Sequence, residues 1–153
     1  VIAIAEESPL GADLGPLMAR HRARMHEDTP PGSIHMMGAA ELAAPGIRFF
    51  VLRKDGAPSG MIAFKRLSAP GEAEVKSMHV LSELRGQGLA PMLLAHLLGE
   101  ARADGIRRLW LETGAQPSFI DARRFYLREG FAECGPFEGY GPDPNSVFMT
   151  REI

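Results

Sequence analysis

At Gly88 the hydrophobic pattern of the chain changes period, and this change constrains the fold more than any other feature. Downstream, Leu89, Leu93, Leu94, Leu97, Leu98 and Ala101 recur at the spacing of one helical face. Upstream, apolar runs are divided by turn signals. Ile47 to Arg53 is rich in β-favouring residues, Asp55-Gly56 marks a turn, Met61 to Leu67 alternates as a hairpin partner, and Pro70-Gly71 leads into Ala73 to Leu81. Three consecutive antiparallel strands followed by a long amphipathic helix is the natural reading.

The flanking segments extend this pattern. Ile2 and Ile4 predict a short strand, and Leu14, Leu17 and Met25 a helix that Thr29-Pro30-Pro31-Gly32 must stop, since two prolines fix backbone angles and remove amide donors. An irregular segment to about Pro45 follows. Gly105 ends the long helix, and Leu109-Trp110-Leu111 reads as a short buried strand before Thr113-Gly114. Ala122 to Glu129 is a second helix candidate, closed by Gly130. Phe131 to Cys134 and Ser146 to Ile153 are strands expected to pair across a loop rich in Pro and Gly. No repeat or low-complexity linker intervenes, so one domain over residues 1–153 is expected, a mixed sheet with helices on its faces.

Composition narrows the function classes. Hydrophobic residues at 45% and charged residues at 24% are those of a soluble globular protein. A net charge of -2 exerts no general pull on nucleic acid, which is not an expected partner. Val1 to Ala5 lacks a basic lead and is interrupted by Glu6 and Glu7, unlike a signal peptide, and no run approaches the roughly 20 apolar residues that span a bilayer. No membrane association is expected. A lone Cys134 forms no internal disulfide, and the five histidines are scattered, so the expectation is a cytoplasmic protein without a metal.

Between the third of the central strands and the long helix lies Arg85-Gly86-Gln87-Gly88-Leu89-Ala90. Glycines let backbone approach an anion, and a helix start offers unpaired amides at a positive dipole end. A pyrophosphate fits such a loop. It is not a Walker loop, because no Gly-Lys-Ser/Thr follows, and it lacks the Gly-x-Gly-x-x-Gly of dinucleotide folds. A tight strand-to-helix connection alone would also explain two glycines.

Together with its surroundings, the loop resembles a known family. Glu74-Val75-Lys76-Ser77-Met78-His79-Val80 through Leu94 is similar to motif A of the GNAT acyltransferase superfamily, whose Gln/Arg-x-x-Gly-x-Gly/Ala signature is matched by Arg85, Gly88 and Ala90. Ala122 to Phe131, with Tyr126 and the terminal Gly130-Phe131, resembles motif B. Glu112-Thr113-Gly114, the tail Asp143 to Met149 and Pro30 to His35 resemble small stand-alone bacterial members.

The resemblance implies an α/β (α+β) fold with a mainly antiparallel sheet of six or seven strands, splayed between strands 4 and 5 and flanked by about four helices. It implies acetyl transfer from acetyl-CoA to an amine. Backbone groups from Met78, His79 and Val80 would lie along the pantetheine arm, and amides of Gly86, Gln87, Gly88, Leu89 and Ala90 would hold the pyrophosphate, with Arg85 adding a charge-assisted contact. A homodimer is among the expected states, dimers being common in that family.

An amine with a pKa of about 10.4 must lose a proton before it attacks. Glu74 is the leading base; on a regular strand it shares a face with Lys76 and Met78, and a carboxylate merely paired with Lys76 is the alternative. His79 is a weaker candidate, on the opposite face unless the strand carries a bulge. The resemblance makes Tyr126 the donor to the leaving thiolate, against a helix tyrosine that only packs on Phe125 and Phe131. Cys134 reads as an inert buried thiol and Trp110 as core.

The acceptor would be chosen by residues 21–35 and 137–145, with His21, Met25, Ser33 and His35 as candidate contacts. The leading expectation is a small-molecule N-acetyltransferase. A protein or peptide acetyltransferase and a non-catalytic acyl-CoA-binding sensor are the alternatives.

Overall fold

The computed structural model describes residues 1–153. Strand β1 (Ile2–Glu6) runs antiparallel to β2 (Ile47–Lys54), with helix α1 (Gly15–Asp28) and the short α2 (Ala39–Leu42) between them. A hairpin joins β2 to β3 (Ala57–Arg66), and β4 (Glu72–Val80) continues the antiparallel order. After helix α3 (Leu89–Ala103), β5 (Arg108–Gly114) lies parallel to β4. Helix α4 (Ile120–Arg128), β6 (Ala132–Cys134) and β7 (Ser146–Glu152) complete the chain. The seven strands are ordered β1-β2-β3-β4-β5-β7-β6, so β7 separates β5 from β6.

Local sequence accounts for most of these elements. Asp55 and Gly56 hold φ of 51° and 84°, as a tight two-residue hairpin turn requires. That turn pairs Lys54 directly with Ala57, so β3 begins earlier than the apolar run from Met61 suggests. Helix α3 buries its predicted stripe, Leu89, Leu93, Leu94, Leu97, Leu98 and Ala101. It ends where the Ile106 amide donates to the Ala101 carbonyl and Gly105 takes a φ of 80°.

Period-two alternation divides the core between the two faces of the sheet. Phe50, Leu52, Ile62, Phe64, Ala73 and Val75 pack with α3 and with Phe125, Tyr126 and Phe131. Phe49, Val51, Met61 and Ala63 pack with Leu14, Leu17 and Leu42 on the other face. The segment predicted as irregular to Pro45 contains a 3-10 turn at Pro31–Ser33 and α2. Four residues anchored by the single buried Leu42 offer no periodicity to read. No helix is long and apolar enough to cross a membrane.

Candidate active site

Strands β4 and β5 share only three paired positions, Glu72 with Arg108, Ala73 with Leu109 and Glu74 with Trp110. Beyond them β5 stays with β7 as far as Gly114 and Ser146, while β4 diverges. The gap is a cleft of about 530 Å³ that reaches from α3 and α4 through the sheet to α1. Its walls include Met78, His79 and Val80 of β4, Leu89 and Ala90 of α3, Tyr126 of α4, and His21 and Met25 of α1.

A bulge sets which side chains of β4 face which way. Ile62 stands opposite two residues, Ser77 and Met78, and Ser77 takes a left-handed φ of 56°. The extra residue reverses the alternation beyond it. Met78 therefore packs against the α3 side of the sheet and not on the Glu74 face expected of a regular strand. His79 moves to the α1 side, where its ring lies 5.2 Å from that of His21.

Five consecutive amides, from Gly86 to Ala90, donate to no acceptor in the protein. Gly86 and Gly88 reach this geometry at φ of 79° and 77°, and Gly88 is the N-cap of α3. Arg85 lines the same end of the cleft. Gln87 contributes its backbone there, while its side chain accepts from Lys54 Nζ at 2.8 Å and is not part of the cleft wall.

Tyr126 lines the cleft from α4 with its ring against Phe125 and Phe131, and burial pushes its phenol up, so it stays protonated at neutral pH. Glu74 is only 4% exposed. Its Oε2 accepts from the Tyr140 hydroxyl at 2.6 Å and lies 3.5 Å from Lys76 Nζ. Lys76 also donates to the Tyr140 oxygen at 3.2 Å and to the His35 carbonyl at 2.8 Å. Beside them His35 Nδ1 is 2.7 Å from Glu112 Oε2, which also accepts from Ser146 Oγ at 2.6 Å. A second cavity of about 530 Å³ lies beyond this cluster, and Glu74, Lys76, His35 and Met36 belong to the walls of both.

Residues 17–131 match the acetyltransferase (GNAT) family. The chain belongs to that family. The uncharacterized N-acetyltransferase YsnE of Bacillus subtilis (strain 168) is 38% identical to it over 143 residues, 94% of each chain. The IAA acetyltransferase of Azospirillum brasilense is 38% identical over 152 residues, 99% of this chain and 98% of its own. Among solved structures, PaiA N-acetyltransferase from Thermoplasma acidophilum in complex with coenzyme A superposes with a TM-score of 0.74 at 18% identity. That match covers 100% of this chain and 99% of the other, and at such identity it concerns the fold.

As a GNAT protein the chain is an acyl-CoA-dependent N-acyltransferase. The donor set fits coenzyme A: free amides at a helix start, with arginine beside them, complement a pyrophosphate in charge and in hydrogen bonding.

Of the acceptor-side candidates, His21, Met25 and His35 line the cleft. His21 is a buried residue of α1. Ser33 stands off the wall, where its hydroxyl accepts from Asn145 Nδ2 at 3.3 Å and ties two loops together. Trp110 is half-buried, donating to Glu72 Oε1 at 2.6 Å and packing on Phe137, and so is not core. Cys134 is half-exposed, not buried, because the short β6 pairs only with β7; partial desolvation still pushes its thiol up.

The sequence assigns no role to Tyr140 or Arg24, and marks Glu112 only as the start of Glu112-Thr113-Gly114. Glu112 had a signal, since Leu109 and Leu111 point to the core and alternation puts Trp110 and Glu112 opposite them. Arg24, whose guanidinium donates to the Ser118 carbonyl across the mouth of the cleft, had none. Tyr140 lay in the predicted acceptor loop with nothing to distinguish it.

Proposed function

We propose that the protein, as one catalytic domain over residues 1–153 acting in the cytoplasm, transfers the acetyl group of acetyl-CoA to the primary amine of a small molecule by direct attack. The observation that carries this reading is the cleft itself, with unengaged amides at one end and the Glu74 cluster at the other. Gly86 to Ala90 and Arg85 hold the pyrophosphate, and the unpaired edge of β4 at Met78, His79 and Val80 receives the pantetheine arm by backbone hydrogen bonds. Acetyl-CoA supplies an activated acyl carbon.

Glu74 accepts the proton of the acceptor ammonium, leaving the amine lone pair free to attack. Its Oε1 has no hydrogen-bond partner in the protein and is available for this. Tyr126, held protonated, donates to the sulfur as the carbon–sulfur bond breaks, and the second proton, shed by the attacking nitrogen as it becomes an amide, restores the phenol by way of solvent. His21 and His79, both depressed to about 4, chiefly by burial, are neutral at pH 7 and poor bases there.

The seating of residues 137–145 supports a small acceptor. Glu138 accepts from Ser68, the Asn145 carbonyl accepts from the Ala115 amide, and Phe137 packs on Trp110, so the loop is held against the sheet and limits the room beside Glu74. The relative named IAA acetyltransferase, matched over almost the whole chain, supports the same choice.

The test is acetyl-CoA consumption, read as free thiol, across amino acids, polyamines, aminoglycosides and lysine peptides. Turnover with a small amine and none with peptides is expected. Turnover confined to peptides would overturn the acceptor class, and tight acetyl-CoA binding with no turnover would make the protein a sensor.

A further inference from the structure

Glu74 does not stand alone. Its Oε2 is held at 2.6 Å by a phenol that reaches in from the loop between β6 and β7. The phenol oxygen accepts from Lys76 Nζ at 3.2 Å, so its own proton is left for the carboxylate. The ring is fixed on three sides, with centroids 5.0 Å from Phe137, 5.6 Å from Phe148 and 5.1 Å from His35. The loop is in turn tied down at Glu138 and Asn145.

We infer that Tyr140 is a positioning residue for acyl transfer, which by holding Oε2 of Glu74 leaves Oε1 to meet the acceptor amine. The inference rests on the reading of Glu74 as the base. Tyr140 touches neither donor nor reacting atoms in this scheme; it acts through Glu74. A fixed neutral donor at one oxygen restricts how a carboxylate can turn, whereas Lys76, 3.5 Å away and already donating to the His35 carbonyl and to Tyr140, grips it less firmly. Correct seating of the acceptor loop and correct aim of the base thus become the same event. This gives the wall between the two cavities a purpose, since Glu74, Lys76 and His35 belong to both and Tyr140 backs them from the second.

Two measurements test this, using whichever amine the acceptor screen supports. In a double-mutant cycle, Tyr140→Phe is expected to lower kcat about 10- to 100-fold, the effect of losing one hydrogen bond to a charged group, with the KM for acetyl-CoA unchanged. Glu74→Gln should lower kcat further, and adding Tyr140→Phe to it should cost nothing more, because the tyrosine has no base left to aim. An undiminished kcat in Tyr140→Phe, or the same fold-loss in both backgrounds, would overturn the inference while leaving Glu74 as base. An active Glu74→Gln enzyme would instead overturn the base and, with it, the role of Tyr140.

The second measurement does not depend on activity. The chain has two tyrosines, so in Tyr126→Phe the only phenolic proton is that of Tyr140. Proton NMR should show it slowly exchanging and far downfield, and Glu74→Gln added to that background should move it upfield. An unmoved signal, or none in either protein, would show that the bond to Glu74 does not persist in solution and would sink the proposal. This readout also covers the case in which Tyr140→Phe fails to fold.

Discussion

The imidazole rings of His21, on α1, and His79, on β4, lie 5.2 Å apart, with Nδ1 of the first and Nε2 of the second buried and without a hydrogen-bond partner. Burial is the main reason each is depressed from 6.5 to about 4; the second cause is the His79 ring for His21 and Arg85 for His79. In the unfolded chain both bind a proton near pH 6.5, whereas in the folded protein they resist it until about pH 4. Their neutral forms thus favour the fold fully above pH 6.5, and that contribution is lost as the pH falls toward 4. Between pH 7 and pH 5 the loss should be about 2 kcal/mol for each histidine and about 4 kcal/mol for the pair. Urea denaturation at the two pH values measures it, and His21→Leu should remove about half of the difference.

Gly88 sits at a φ of 77° with open space where a Cβ would be. Gly88→Ala therefore meets no clash and its cost is conformational, about 1 kcal/mol. If amides 86–90 hold a pyrophosphate, the same change should weaken coenzyme A binding by more than it weakens the fold. Calorimetric titration with coenzyme A, beside a thermal melt, compares the two. Equal affinity for the variant and the wild type would place the pyrophosphate elsewhere.

The Tyr126 hydroxyl makes no hydrogen bond with another residue, and desolvation alone raises its phenol. Tyr126→Phe should accordingly melt within a degree or two of the wild type. Its turnover should fall, by up to about 100-fold if proton donation to the thiolate limits the rate. Unchanged kcat would leave Tyr126 a packing residue.

Gly114, at the end of β5, has no room for a side chain. A Cβ there would lie 2.3 Å from Cδ2 of Phe119 and 2.7 Å from Oε1 of Gln116. Phe119 is itself buried and faces the Arg24 guanidinium, so it cannot swing away freely. Gly114→Ala should cost about 1–3 kcal/mol in urea denaturation, as overpacking does. A neutral result would mean that the 117–119 turn yields easily, and that the bond from Arg24 to Ser118 does not fix the mouth of the cleft.

Much of this architecture is legible in the residues because its causes are local. The alternation of Phe49, Val51, Met61 and Ala63 against Phe50, Leu52, Ile62 and Phe64 is a period-two pattern, and the leucines of α3 are a helical one. Asp55-Gly56 and Gly88 mark places where the backbone must enter left-handed space. The bulge left no such mark: a serine at a φ of 56° is unusual, and nothing in Lys76-Ser77-Met78 announces it. For that reason regular alternation puts Met78 on the Glu74 face, and only an irregular strand brings His79 there.

By itself the sequence determined where strands and helices form, where the chain turns, and that a glycine loop with free amides opens a helix, because neighbouring residues set these outcomes. Only the tertiary structure decided what surrounds Glu74. Tyr140 reaches it from another strand connection, and Lys76 points the same way because the bulge comes after it. His35 and Glu112, far apart in the chain, meet at 2.7 Å. A hydrogen bond between distant residues depends on the packing of every element between them, and no local pattern encodes that.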